Sequence, residues 1–275
     1  MTPRLYLWFY CYYIYMRVVT ADVTCPRVAD ILLVLDQSAS IVVEDPNYDN
    51  WYVKVLGFAK NVAGAFYIAI HRTQVAVIKF SDVVKVVFYL NTYSNRESLL
   101  NAIGNTNFEG GRTNLAAALR NGRSMFRTSN GARDGVPKIL IMLTDGTANI
   151  EANRTQEEAN ETKADGITIF IVGVGGGVDK DELKKVASKP DYFFFATNFN
   201  DLNSVLQKLL EGSCNEAATL PTTTTATTTT TTIPTSTSST TATTLTTTTE
   251  SRKFSCGILP SGYWQVSRDT DYWCW

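Results

Sequence analysis

At 275 residues with 44% hydrophobic side chains, the chain is long enough for one sizeable globular domain with appendages and too short for three ordinary domains. Its 25 Lys and Arg almost cancel its 26 Asp and Glu, so it carries no basic field for a nucleic-acid backbone or an acidic membrane surface, and nucleic acid is not an expected partner. The single histidine, His71, between a helix and a strand, reads as a turn or surface residue; its isolation removes the commonest zinc ligand and general base and weighs against an enzyme.

In chain order, Arg4 precedes a twelve-residue apolar and aromatic run, Leu5 to Met16, followed by Val19-Thr20-Ala21. This reads as a secretory signal peptide over residues 1–21, since the run is well short of the roughly 20 residues that span a bilayer. No later apolar run reaches that length, so the expected product is secreted, with no membrane span. The globular region is expected over residues 22–215. Ala29 to Leu35, Gln74 to Phe80, Lys138 to Leu143 and Ile167 to Val172 read as strands, the last three rich in Ile and Val on both faces as buried parallel strands are. Val83 to Tyr89 follows Ser81-Asp82 and should pair antiparallel with the strand before it, and Asp191 to Ala196 reads as a last strand. Tyr52 to Ile70, Arg96 to Gly104, Asn114 to Phe126, Gln156 to Ala164, Asp181 to Ala187 and Asp201 to Glu211 read as helices. The alternation predicts an α/β fold, an open doubly wound, mostly parallel, Rossmann-like sheet with one antiparallel edge strand.

Beyond this region, 21 of the 31 residues from Thr219 to Thr249 are threonine, with Pro221 and Pro234 among them. Residues 216–250 therefore read as a mucin-like, Thr-rich linker that buries no core and, if extended, reaches on the order of 90 Å. The tail, residues 251–275, sets Tyr263, Trp264, Tyr272, Trp273 and Trp275 around Cys256 and Cys274. It reads either as a small polysaccharide-binding module, with Tyr263, Trp264 and Trp273 stacking on sugar faces, or as the start of a larger Cys-rich domain. Setting aside Cys11 in the signal leaves Cys25, Cys214, Cys256 and Cys274, which allow two disulfides in three connectivities. Cys25 and Cys214 bracket the globular region, favouring Cys25–Cys214 with Cys256–Cys274. Asn153 and Asn160 each begin an N-glycosylation sequon.

Ligands of open α/β sheets bind at the carboxyl ends of the strands. There the sequence sets Asp36-Gln37-Ser38-Ala39-Ser40 after the first strand, Thr113 after Gly110-Gly111-Arg112 at a helix start, and Thr144-Asp145-Gly146 after the strand that ends near Leu143. Hydroxyl and carboxylate oxygens converging at one point suit a hard divalent cation. Taken singly, these are ordinary turn and capping residues; together, at consistent strand ends, they read as a metal site.

Asp36-x-Ser38-x-Ser40, Thr113 after Gly-Gly-Arg, and Thr144-Asp145-Gly146 resemble the metal-ion-dependent adhesion site of von Willebrand factor type A domains, as in matrilins, collagens and integrin inserted A domains. Val172-Gly173-Val174-Gly175 and Pro190-Asp191-Tyr192-Phe193 are similar to further family signatures, and the resemblance covers about residues 28 to 212. Leu115 departs from it, standing where many relatives carry a second threonine. The resemblance implies Asp36, Ser38, Ser40, Thr113 and Asp145 as the metal set, with Mg²⁺ or else Mn²⁺ or Ca²⁺. It also implies a non-enzymatic adhesion or matrix protein that takes an acidic residue of an extracellular protein ligand, collagen-like or another matrix protein. An alternative is a structural matrix component attached through a polysaccharide-binding tail. The least favoured reading is a Mg²⁺-dependent phosphoryl-transfer enzyme using Asp36 as nucleophile, since Ser38 stands where such enzymes carry a second acid.

Overall fold

The computed structural model describes residues 25–43 and 45–217, and the backbone of 256–258 and 264–266. The chain divides into two units, residues 1–223 and 224–275. In the first, six strands form one sheet: β1 (Asp30–Asp36), β2 (Gln74–Phe80), β3 (Val84–Phe88), β4 (Lys138–Thr144), β5 (Ile167–Val174) and β6 (Phe193–Ala196), ordered β3-β2-β1-β4-β5-β6. All neighbouring pairs are parallel except β2 with β3, the antiparallel edge expected from the sequence.

β1 explains the double winding. Its seven residues, Asp-Ile-Leu-Leu-Val-Leu-Asp, are all buried, so alternate side chains feed two cores. Ile31, Leu33 and Leu35 pack with helices α1 (Leu56–Gly64), α2 (Arg96–Gly104) and α6 (Leu202–Ala217) on one face. Leu32 and Val34 pack with α3 (Leu115–Met125), α4 (Thr155–Ala164) and α5 (Lys180–Val186) on the other. Each such leucine or valine contributes about 1.5–3 kcal/mol by burial. Strand order reverses between β1 and β4, and a crevice opens at the carboxyl ends of a parallel sheet where this happens.

The structure redraws several element ends. The helix expected over Tyr52 to Ile70 is a π-helical turn, Asn50–Val55, running into α1, and it stops at Gly64. Phe66 and Ile68 alternate as strand residues do and pair as extended bridges with Cys25 and Thr73, and the Cys25 N–H donates to the Ala65 carbonyl at 2.6 Å. A long-range backbone partner thus takes over the carbonyls that another helical turn would have used. His71 sits in the following turn at φ 66°, exposed, as the sequence suggests. Pro190–Tyr192 forms a 3-10 turn that delays β6 to Phe193, and α6 continues to Ala217, beyond the expected Glu211.

Cys25 and Cys214 are joined, with Cα atoms 5.7 Å apart, tying the chain ahead of β1 to the last helix. Among the described residues no helix is long and apolar enough to cross a membrane. In the second unit Cys256–Ile258 and Trp264–Val266 form an antiparallel pair. The signal segment, the Thr-rich linker, the Cys256–Cys274 pairing and the side chains of Tyr263, Trp264 and Trp273 lie outside the described residues.

Candidate metal centre

The crevice between β1 and β4 is where the five candidate oxygens were expected. Asp36 closes β1 and is fully buried. Its two carboxylate oxygens are clamped from different sides: the Ser38 N–H donates to Oδ1 at 2.7 Å, and the Thr144 hydroxyl donates to Oδ2 at 2.6 Å. The first contact is the short Asp-to-i+2 turn that this residue type favours. It starts the 3-10 turn Ala39–Val42, which swings the Ser40 hydroxyl toward β4.

Asp145 follows β4 and comes from the other side of the crevice. Its Oδ1 accepts the Ser40 hydroxyl at 2.9 Å and the Ser38 hydroxyl at 3.3 Å, and the two serine oxygens are 2.9 Å apart. Ser40 is exposed while Ser38 and Asp145 are buried, so the cluster meets solvent on the Ser40 side. Thr113 joins through Gly146: a Cβ on Gly146 would stand 3.3 Å from the Thr113 Oγ1, so the hydroxyl occupies space that a side chain there would crowd. All five candidate residues thus gather at one crevice, four of them through direct hydrogen bonds.

Three supports were not legible as such in the sequence. Thr144, part of the Thr-Asp-Gly triplet, holds the Asp36 carboxylate. Asn149 accepts the Thr113 N–H on its Oδ1 at 2.9 Å and donates its own N–H to the Thr113 carbonyl at 3.0 Å, fixing the backbone on both sides of Thr113. Gly177, after the Gly175-Gly176 pair, lets the loop after β5 reach the Asp145 backbone, because a Cβ there would lie 2.7 Å from the Asp145 carbonyl oxygen. The Thr113 loop is braced further back: the buried Lys79 Nζ donates at 2.8 Å to both the Asn107 carbonyl and its side-chain oxygen, and pairs with Glu109 at 2.9 Å. Arg112 pairs with Asp82 at 2.8 Å.

The electrostatics fit a cation. Burial, then repulsion from Asp145, pushes the Asp36 carboxyl up to about 7, and burial also raises Asp145. Two carboxylates share a buried crevice whose other facing groups are neutral hydroxyls, and a divalent ion would neutralise them. Among the described residues no group of three or more His, Cys, Asp or Glu gathers elsewhere or here, so the donor set is an oxygen set rich in hydroxyls. Gln37, next in sequence to Asp36, is fully buried with both amide atoms unpartnered, and the structure supplies no reason for it.

The von Willebrand factor type A domain model matches residues 30–208. The human collagen alpha-5(VI) chain is 31% identical over 70% of this chain, which spans 7% of that protein. The collagen alpha-1(XII) chain of Notophthalmus viridescens is 33% identical over 70% of this chain, which spans 20% of that relative. Among solved structures, proximal thread matrix protein 1 from the mussel byssus, with a zinc-occupied MIDAS motif, superposes with a TM-score of 0.66 at 30% identity, covering 70% of this chain and 49% of that one. The chain thus spans a small part of its collagen relatives, and what it shares with them is this domain. Its sheet order, its antiparallel edge and a family match over most of the globular region lead to one conclusion: the chain belongs to the von Willebrand factor type A domain family.

Proposed function

We propose that this chain is a secreted, non-enzymatic binding protein of the extracellular matrix whose domain holds a divalent cation and, through it, an acidic side chain of a protein ligand. The observation that carries the reading is the meeting of Ser38, Ser40 and Asp145 over a buried Asp36, with Thr113 alongside. Ser38, Ser40 and Thr113 would face the ion with hydroxyls, and Asp36 and Asp145 with carboxylates. The ion would offer an under-neutralised positive charge to an incoming Glu or Asp. Mg²⁺ is the ion favoured for such an oxygen set, with Mn²⁺ and Ca²⁺ as alternatives. The collagen and byssal-thread relatives support a matrix protein as the ligand, and the Cys25–Cys214 disulfide supports an oxidising, extracellular setting.

The same geometry speaks against a phosphoryl-transfer nucleophile. Asp36 is fully buried at the floor of the crevice, so its carboxylate has no open line of approach to a substrate phosphorus. For the tail, the support is the aromatic composition of residues 263–275, which suits a sugar-stacking attachment module. Asn153 and Asn160 are both exposed, which leaves room for N-linked glycans. Calorimetry with Mg²⁺ tests the main reading: the folded wild type binds, Asp145→Ala does not, and EDTA abolishes capture of matrix protein from tissue extract. Equal metal binding by the variant would sink it.

A further inference from the structure

A cavity lies at the strand ends opposite the metal crevice, beside the C-terminal half of α3 and the amino ends of β4 and β5. It measures about 520 Å³, within the size range of small-ligand clefts. Arg120, Arg123, Arg127 and Lys138 line it, against one carboxylate, Asp165. Arg120 and Arg123 share one face of α3, and Arg127 follows the helix end in extended backbone.

Not all of this charge is free. Arg120 reaches Glu158 at 2.8 Å and Glu151 at 3.3 Å, and Arg123 reaches Glu158 at 3.4 Å, Asp165 at 3.8 Å and also Glu161. Cations in the last turn of a helix also complement its dipole, which accounts for Arg123 without any ligand. Arg127 and Lys138 have no such explanation. Neither makes an ion pair among the described residues, and Arg127 is exposed. Asp30, whose carboxyl feels the charge of Lys138, is already held by Arg133 at 2.5 Å. A chain with net charge −1 therefore sets two cations without a direct ion pair at one polar cavity.

We infer that this cavity is an anion site for the sulfate esters of an extracellular sulfated glycan, separate from the metal crevice. A guanidinium and an ammonium at a polar opening suit sulfate oxygens. The apolar side chains in the lining, Phe126 and Ile167, are themselves buried, so nothing there offers the exposed apolar pocket that an acidic peptide's neighbouring side chains would seek. The choice of a glycan also rests on the matrix setting proposed above, whereas the anion chemistry does not.

The test applies the full chain to a sulfated glycosaminoglycan resin and to its desulfated counterpart. The wild type is retained on the first only, and neither EDTA nor Asp145→Ala changes this. Arg127→Ala with Lys138→Ala weakens binding about tenfold, as loss of two partly exposed ion pairs should. Lys60→Ala with Lys208→Ala, which removes equal charge from exposed positions elsewhere, leaves it within twofold. Arg127→Gln singly, at an exposed position, gives about threefold and carries the test if the double variant melts early. Equal retention on the desulfated resin, equal loss in the control pair, unchanged binding by both Arg127 variants, or displacement by polyglutamate as effective as by the sulfated glycan would each overturn the inference. Release by EDTA would assign the binding to the metal crevice. EDTA-insensitive retention with no Mg²⁺ heat would uphold this site and sink the metal reading instead.

Discussion

Thr144→Val probes the proposed metal crevice without touching any of the five oxygen-bearing residues proposed to hold the ion. Valine keeps the shape of a fully buried side chain and deletes only the hydroxyl that donates to Asp36 Oδ2 at 2.6 Å. A hydrogen bond to a charged group contributes about 1.5–3 kcal/mol, and the Ser38 N–H remains on the other oxygen, which points to the lower end of that range. The loss should divide between two observables. A hydrogen bond to an ionised acceptor is roughly twice as strong as one to a neutral acceptor, and a bound cation requires Asp36 ionised. The share that depends on ionisation, about 1 kcal/mol or fivefold, should therefore appear as weaker Mg²⁺ binding. The remainder, about 0.5 kcal/mol, should appear as a melting temperature lower by about 1–2 °C in EDTA for a domain of this size. Titration calorimetry and melts with and without Mg²⁺ read both quantities. A variant that matches the wild type in each would refute the assignment of Thr144 as the clamp on Asp36.

The disulfide and the loop brace supply further expectations. Cys214→Ser opens a bridge with a sequence separation of 189; chain entropy assigns that bridge roughly 5 kcal/mol, so the melting temperature should fall by about 10–20 °C, and a fall under about 3 °C in scanning calorimetry would show that the bridge constrains little. Hydrogen bonds from Lys85 and Lys79 hold the Glu109 carboxyl down at about 2. Because this folded value lies below the unfolded one of about 4.5, the brace contributes stability at neutral pH that is lost as pH falls from about 4.5 through 2. A carboxyl NMR titration of Glu109 with its midpoint near 4.5 would show that the two lysines do not hold it.

The parts of the fold that were readable are those whose signal is local. β2, β4 and β5 are runs of Val, Ile and Leu buried on both faces, and in the structure they start where the sequence pattern starts. The overextended helix shows the limit of that signal. Phe66, Ile68 and Ile70 alternate at strand period, but the run is too short to mark a helix end by itself, and the partner that holds Phe66 extended, Cys25, stands some forty residues away. The candidate site divides in the same way. Asp36, Ser38 and Ser40 were legible because they share one turn, whereas the roles of Thr144, Asn149 and Gly177 depend on what stands across the crevice from them.

By itself, then, the sequence determined which chemistry was on offer: an oxygen-rich donor set at strand ends, an even number of cysteines after the expected signal segment, a domain of alternating strands and helices, and a tract dominated by threonine. Tertiary structure decided which of these groups meet. Ser38 and Asp145 are 107 positions apart and touch because β1 lies between β2 and β4, so that the turns after β1 and β4 open onto one crevice. Arg127 and Lys138 share a cavity because α3 returns across the sheet to the amino ends of β4 and β5. Side-chain periodicity is imposed by neighbours along the chain and is written locally. Convergence is imposed by strand order, which reflects how the two apolar faces of the sheet are best covered, and so emerges only once the chain has folded.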